Sequence, residues 1–411
     1  MSAHIMGYPS PLIESSVTPP FNNEAKKYFK VNARIRTYLL VLLALFLAAS
    51  LMNKPEMKDK SAIPRSEIST HVAPPGSGDL LSSSYGLSDN SGYYKSHYFV
   101  WPAAKWEEAT SKSKVCLLAQ GGADRLFWVV RQAEAFAGPV SMGIFVAGSE
   151  YAVAVEMVSY MRRCFPPVRD WVSFHIMYPA GKPPKLSPSP KTFVLNCSDP
   201  EGANQLLMSL RDETEPMETH YPQNHMRNVA RKACPCDYIH IVDIDMLATP
   251  RMADKLNGFL TTMEETAPCE KCIYVVPAYE VHDSVEKYPD NKKELLELVH
   301  RNLAQVFHVK VYDRNQGNGR FPQRWEVEPT EEDTAEYRVL YDIPNYQEFW
   351  EPLMVLPYTA PWHDERFVGF GFNRNSHVRF SKLVSWLLAM LWLLSSLSAA
   401  VSRFLPLSVT L

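Results

Sequence analysis

Between Lys114 and Asp245, short apolar runs alternate with segments of helical spacing, and no other feature of the chain limits its fold as strongly. Lys114 to Ala119 reads as a strand, Arg125 to Ala137 as a helix and Val140 to Ala147 as a second strand. Glu150 to Cys164 reads as a helix closed by Pro166 and Pro167, and Asp170 to Met177 as a third strand. Thr192 to Leu195 is a further strand candidate, and Asn224 to Lys232 is a helix leading straight into the apolar run DYIHIVDIDM, Asp237 to Met246. Strands and helices that take turns in this way predict an α/β fold with a mostly parallel sheet and helices on its faces. Beyond it, Cys272 to Pro277 is another strand, and Leu295, Leu296, Val299, Leu303 and Val306 mark one helix whose apolar stripe reads as core. Gly181 to Pro190 reads as a surface loop, and no internal repeat is evident.

The run from Asp237 ends in Asp243 and Asp245, two carboxylates two residues apart. Strand side chains alternate faces, so both acids point the same way and can reach one divalent cation, whereas His240 has the opposite parity. Hard oxygen ligands suit Mg²⁺ or Mn²⁺, which keep open positions for a diphosphate. In open α/β sheets ligands bind outside the carboxyl ends of the strands, where these acids fall. Taken alone, such a pair is equally a solvated strand end. The same spacing occurs in the nucleophile strand of haloacid-dehalogenase-type phosphatases. That motif carries Thr or Val where this chain has Leu247, and it opens its domain instead of following several β/α units.

The 411 residues suffice for one large domain or two ordinary ones. A net charge of −3 without a Lys/Arg block excludes an electrostatic footprint for nucleic acid. Tyr38 to Met52 is an uncharged run of 15 residues preceded by Lys26, Lys27, Lys30, Arg34 and Arg36, which predicts a membrane anchor with a cytosolic tail over 1–37. Residues 53–92, rich in Ser, Pro and Gly, form the expected flexible stem, and the folded domain is expected over 93–378. Seven cysteines follow the anchor, which fits an oxidising lumen. The pairs Cys234/Cys236 and Cys269/Cys272 each precede an apolar run, so disulfides between the two pairs are expected ahead of a structural zinc site. Asn196-Cys197-Ser198 is a glycosylation triplet.

From Trp350 to Arg374 aromatic residues interleave with carboxylates and glycines. Rings that pack on sugar faces beside hydrogen-bonding carboxylates make a saccharide site, and an aromatic-rich loop packed on the sheet is the competing reading.

Several words of the sequence occur in one order: Tyr221 to Asn224 with Arg227, Asn228 and Arg231; Asp243 to Met246; Val276 to Glu280; Asn291 to Leu295; Trp350 to Pro352; and Asp364 to Phe367 with Gly371 to Arg374. Together, over about Val115 to His377, they resemble the luminal glycosyltransferases that include β-1,4-glucuronyltransferase and the second catalytic half of LARGE. The resemblance implies a single-pass type II Golgi membrane protein with a luminal GT-A type nucleotide-sugar-binding domain. It implies inverting transfer of a sugar from a UDP-sugar to a glycan hydroxyl on a glycoprotein. Asp243 and Asp245 would hold Mn²⁺ on the diphosphate, and Asp364 or Glu365 would act as general base. Arg227 or Arg231 would contact the donor or hold the acidic strand end, Glu351 would bind an acceptor hydroxyl, and Trp350, Asn373 and Arg374 would line the substrate. Glucuronate is the expected donor sugar, with β-1,3 transfer of N-acetylglucosamine to lactosamine ends as the alternative.

One departure stands out. After Arg374 the family continues with more sheet and a histidine completing the metal site, whereas residues 379–411 are mostly hydrophobic and Leu383 to Val401 is uncharged over 19 residues. His377 comes too early for that role. The tail reads as an altered C-terminus ahead of a second membrane span, and a truncated, inactive glycan-binding relative is the third functional reading.

Overall fold

The structure, a computed structural model, describes residues 86–185, 195–212, 214, 220–269, 271–310, 325–327, 337–343, 349–369, 371, 373–378 and 407–410. The expected anchor over 38–52, the stem up to residue 85, most of the strand candidate at Thr192 and the uncharged run from Leu383 lie outside the described residues. Among the described residues no helix is long and apolar enough to cross a membrane.

The strands are β1 (Leu87–Ser88), β2 (Tyr94–Trp101), β3 (Val115–Gly122), β4 (Val140–Phe145), β5 (Val172–Pro179), β6 (Tyr238–Ile241), β7 (Tyr274–Val276), β8 (Tyr279–Val281), β9 (Ala304–Val306), β10 (Val339–Ile343), β11 (Leu353–Pro357) and β12 (Leu407–Thr410). The helices are α1 (Trp106–Lys112), α2 (Trp128–Phe136), α3 (Glu150–Cys164), α4 (Pro166–Trp171), α5 (Pro200–Asp212), α6 (Gln223–Lys232), α7 (Met252–Thr266) and α8 (Lys292–His300). Ten strands form one sheet in the order β1-β2-β5-β4-β3-β6-β11-β7-β12-β10. The central block β5-β4-β3-β6 is parallel, and antiparallel strands β2 and β11 flank it. The expectation of a mostly parallel sheet therefore holds for the centre, where helical crossovers set strand direction; the flanking pairs need no crossover. The first strand, β1, lies upstream of the expected domain start at Tyr93 and pairs Leu87 with Ser96.

Helices on both sides bury the central strands on both faces, so these strands carry apolar residues at both parities. On one face Val115, Leu117, Ala119, Met142 and Ile144 join Ala133 of α2, Met157 and Met161 of α3, and Leu260 of α7 in the main core. On the other, Cys116, Leu118 and Ile239 pack with Ala230 of α6 and Met354 of β11. Gly143 of β4 permits the close seat of α6: a Cβ there would lie 3.0 Å from Met226 Cε and 3.3 Å from the Met226 carbonyl oxygen.

Two expectations change. The stripe from Leu295 to Val306 is not one helix, because α8 ends at His300, Asn302 turns the chain at φ 55°, and Ala304–Val306 pairs with β8 as a strand. No residue of α8 is buried, so its stripe is not core. The disulfides are Cys116–Cys234, Cys164–Cys197 and Cys269–Cys272, with Cys236 a buried thiol, in place of bonds between the two expected pairs. Strand order is the reason. β3 adjoins β6 and brings Cys116 to the Cys234 turn, while β11 separates β6 from β7 and leaves Cys269 and Cys272 to close on each other.

Candidate functional site

From β3 the chain builds outward through β4 and β5, then places β6 on the other side of β3. That reversal opens a crevice at the carboxyl ends of β3 and β6, the usual ligand position in open α/β sheets. The two acids sit here. β6 ends at Ile241, so Asp243 and Asp245 occupy the turn after the strand and pleat parity does not govern them. The turn is fixed by local bonds: Met246 N donates to the Asp243 carbonyl at 3.0 Å, and the Gln132 amide of α2 donates to the Asp243 and Met246 carbonyls at 3.1 and 3.0 Å. It also rests on glycine, since a Cβ at Gly121 would lie 3.0 Å from Ile244 Cδ1.

Released from parity, the carboxylates meet different cations. Asp243 Oδ1 lies 2.9 Å from Arg374 and 3.5 Å from Arg227, whereas Asp245 Oδ2 lies 2.6 Å from Arg125. Burial pushes the Asp243 carboxyl up, but Arg374 and Arg227 together outweigh it and hold it below the usual range. Arg227 is lowered to about 10 by burial and by Arg374, and stays cationic at neutral pH.

α6 builds the far wall. Its polar residues Asn224, Arg227, Asn228 and Arg231 fall three or four apart on one face, and all are buried. They bind the segment that follows β11. Asn224 Nδ2 donates to the Asp364 carbonyl at 2.9 Å, and Asn228 Nδ2 donates to the His363 carbonyl and to Glu365 Oε1, both at 2.9 Å. Arg227 donates to Asn373 Oδ1 at 2.8 Å, while Asn373 Nδ2 donates to Gln223 Oε1 at 2.6 Å. Arg231 donates to the carbonyls of Tyr358, Ala360 and Pro361, and its guanidinium lies 4.2 Å from the Trp362 ring centroid. The sequence reading assigned roles to Arg227 and Arg231, offered Asn224 and Asn228 only as family words, and had no signal for Arg125. The available signal was a helix carrying polar residues at the spacing where apolar ones face a core.

The remaining expected site residues divide. Asn373 and Arg374 are buried and bind Arg227 and Asp243, so they brace the site. Glu351 is half-buried, and its Oε1 lies 3.4 Å from Asn375 Nδ2. Trp350 is only 1% exposed and packs in the core with Cys116, Ala230 and Met354, so it offers no face to a sugar. The segment is aromatic because it covers the sheet. Trp350→Ala is expected to cost about 3 kcal/mol in chemical denaturation through the cavity left behind. Unchanged stability with a raised KM for the acceptor would return the ring to the substrate. His240 Nδ1–H donates to the Met354 carbonyl, 2.9 Å away. His377 stacks on His363 at 3.8 Å and bonds the Pro361 carbonyl at 2.7 Å.

Asp364 and Glu365 differ sharply. Arg366 chelates Asp364, with Nε 2.9 and 3.1 Å from its two oxygens, and these bonds hold the carboxyl below its usual range. Glu365 has Asn228 on Oε1 and a side chain 23% exposed.

The donor set suits a hard divalent cation. Both arginine contacts at Asp243 fall on Oδ1, Asp245 is 39% exposed, and its partner Arg125 is an exposed side chain on a flexible stem. Among the described residues no histidine, cysteine or third acid groups with these two; the one cluster of three such groups is Cys116, Cys234 and Cys236.

A mixed α/β sheet with paired carboxylates at its switch point and a polar helix beneath them places this chain among the open-sheet α/β proteins, whose ligands bind at that position. Residues 114–384 match the family described as glycosyl-transferase for dystroglycan, and the chain belongs to that family. It is 26% identical over 250 residues to beta-1,4-glucuronyltransferase 1 of Danio rerio, a stretch covering 59% of this chain and 56% of that protein. It is 26% identical over 270 residues to xylosyl- and glucuronyltransferase LARGE2s of Gallus gallus, covering 64% of this chain and 29% of the relative. With the human beta-1,4-glucuronyltransferase 1 it shares 25% identity over 308 residues, covering 72% and 68%. The matched stretch is thus about half the length of the first of these relatives and under a third of the second.

Proposed function

We propose that this chain is an inverting glycosyltransferase that moves a sugar, glucuronate first, from a UDP-sugar to a glycan hydroxyl on a glycoprotein. The carrying observation is Asp243, paired with Arg374 and Arg227, two residues from Asp245 at the β3/β6 switch point of a member of this family. The names of the relatives favour glucuronate. Asp243 and Asp245 would hold Mn²⁺, which supplies positive charge against the leaving diphosphate. Three disulfides agree with a luminal domain of a type II Golgi membrane protein anchored by residues 38–52.

Inversion in one displacement requires a group that takes the proton of the acceptor hydroxyl as the hydroxyl oxygen attacks the anomeric carbon. We assign that role to Glu365. Asp364 is a poorer acceptor of protons because Arg366 stabilises its charged form. Asn224 and Asn228 hold this pair of acids through the backbone of Asp364 and His363, so the base is fixed to the same helix whose Arg227 contacts Asp243.

The test is UDP release by the full chain with Mn²⁺, across a panel of UDP-sugars and xylose- or galactose-ended acceptors, beside Asp245→Ala. Turnover with one donor, lost in the variant and with chelator, is the expected result. Folded wild type that turns over no donor would overturn the proposal. Glu365→Gln should lower kcat by about 10²-fold and Asp364→Asn by far less. The reverse order would move the base to Asp364.

A further inference from the structure

Behind Glu365, α6 presents a second group. His225 is buried, and its Nε2 lies 3.6 Å from Asp89 Oδ2 and 3.8 Å from Glu365 Oε2. The Tyr94 ring, 4.8 Å away between centroids, packs against it. One N–H cannot serve two acids, so the needs of each acid decide its partner. Asp89 is already satisfied: Oδ1 accepts from Tyr94 N at 2.8 Å, and Oδ2 accepts from Ser91 N at 3.0 Å and from the Ser91 hydroxyl. Glu365 has Asn228 on Oε1 alone, and its Oε2 faces His225.

The other ring nitrogen settles the tautomer. His225 Nδ1 is buried without a hydrogen-bond partner among the described residues. A buried orphan acceptor is tolerated better than a buried orphan donor, so the ring proton belongs on Nε2, facing the acids. His225 and Asn228 are three residues apart on α6 and therefore share a face. Between them they address both oxygens of one carboxylate. A separation of 3.8 Å is longer than a hydrogen bond, and contacts of this kind tighten when substrate binds.

We propose that His225 is a positioning residue for Glu365: its Nε2–H fixes the rotation of the carboxylate, with Asn228 on the other oxygen, so that a free lone pair faces the acceptor hydroxyl. This rests on the reading of Glu365 as the base. Without His225, the carboxylate hangs on one hydrogen bond and spends less time in the productive rotamer.

Three measurements test it on the full chain. His225→Leu, of similar bulk and without a donor, should lower kcat about tenfold with the acceptor KM changed less than about twofold. His225→Gln, which returns an N–H donor, should recover most of that loss. His225→Leu that folds and keeps kcat within about twofold of wild type, or His225→Gln as impaired as His225→Leu, would overturn the proposal. The third readout needs no turnover: with ¹⁵N-labelled histidine, wild type should show His225 with its proton on Nε2, and Glu365→Gln should shift that nitrogen. A proton on Nδ1, or an unmoved Nε2 in Glu365→Gln, overturns the contact. Wild type that turns over no donor is a failure of the transferase reading, and the nitrogen resonances still decide the contact.

Discussion

Asp243→Ala is expected to lower folding stability by about 3–5 kcal/mol and Asp245→Ala by under about 1 kcal/mol, although under the proposed function both variants should lose metal-dependent transfer. The two acids are neighbours in the chain and opposites in setting. Asp243 meets Arg227 and Arg374, both buried, so its removal strands two cations in the interior. Asp245 meets Arg125, whose side chain is 57% exposed and rehydrates freely. Urea midpoints of the two variants decide the matter, and equal midpoints would remove Asp243 from its structural role. The same pairing has a pH signature. The Asp243 carboxyl is depressed in the folded state, so its stabilisation is present above the unfolded carboxylate value near ~3.9 and is lost as pH falls through the lower folded value.

Acidification should weaken the domain well before that. Burial lowers His97, His240 and His377 to about 4 and His175 to about 3, and it lowers His363 too, with His377 and three arginines adding to the effect. These rings fold neutral. In the unfolded chain they take up protons near ~6.5, so the unfolded state binds more protons as pH drops from there toward the folded values. Stability is therefore complete above pH ~6.5 and falls on acidification, by on the order of 1 kcal/mol per histidine between pH 7.5 and 5.5. Glu150, raised by burial against its bond to Arg211, acts in the opposite direction at lower pH. Guanidinium midpoints at the two pH values test this, and a midpoint that is flat or higher at pH 5.5 would contradict it. His97→Phe should reduce the slope without touching the switch-point residues.

The parallel centre was legible because burial on both faces demands apolar residues at both parities, and helical crossovers between such strands leave their own period. Val115–Gly122, Val140–Phe145 and Val172–Pro179 all lie where the alternation predicted strands. The acid pair was legible as chemistry and misread as geometry. Parity applied through Ile241 and then ended, because Gln132 and Gly121 shape a turn there, and neither is adjacent in sequence. Pattern also failed at Trp350, whose residue type fits a sugar platform and a core equally well.

The chain by itself therefore determined the alternation of central strands and helices, the presence of a carboxylate pair after an apolar strand, and which family words it carries. Each of these depends on spacing within one segment. Only the tertiary structure decided which cysteines pair, that α6 turns a polar face onto Tyr358, Pro361, His363, Glu365 and Asn373, and that Asp243 and Asp245 answer to different arginines. Those outcomes depend on strand order and, for Cys116–Cys234, Asn224–Asp364 and Arg125–Asp245, on groups more than a hundred residues apart, where burial and charge select partners that local periodicity does not encode.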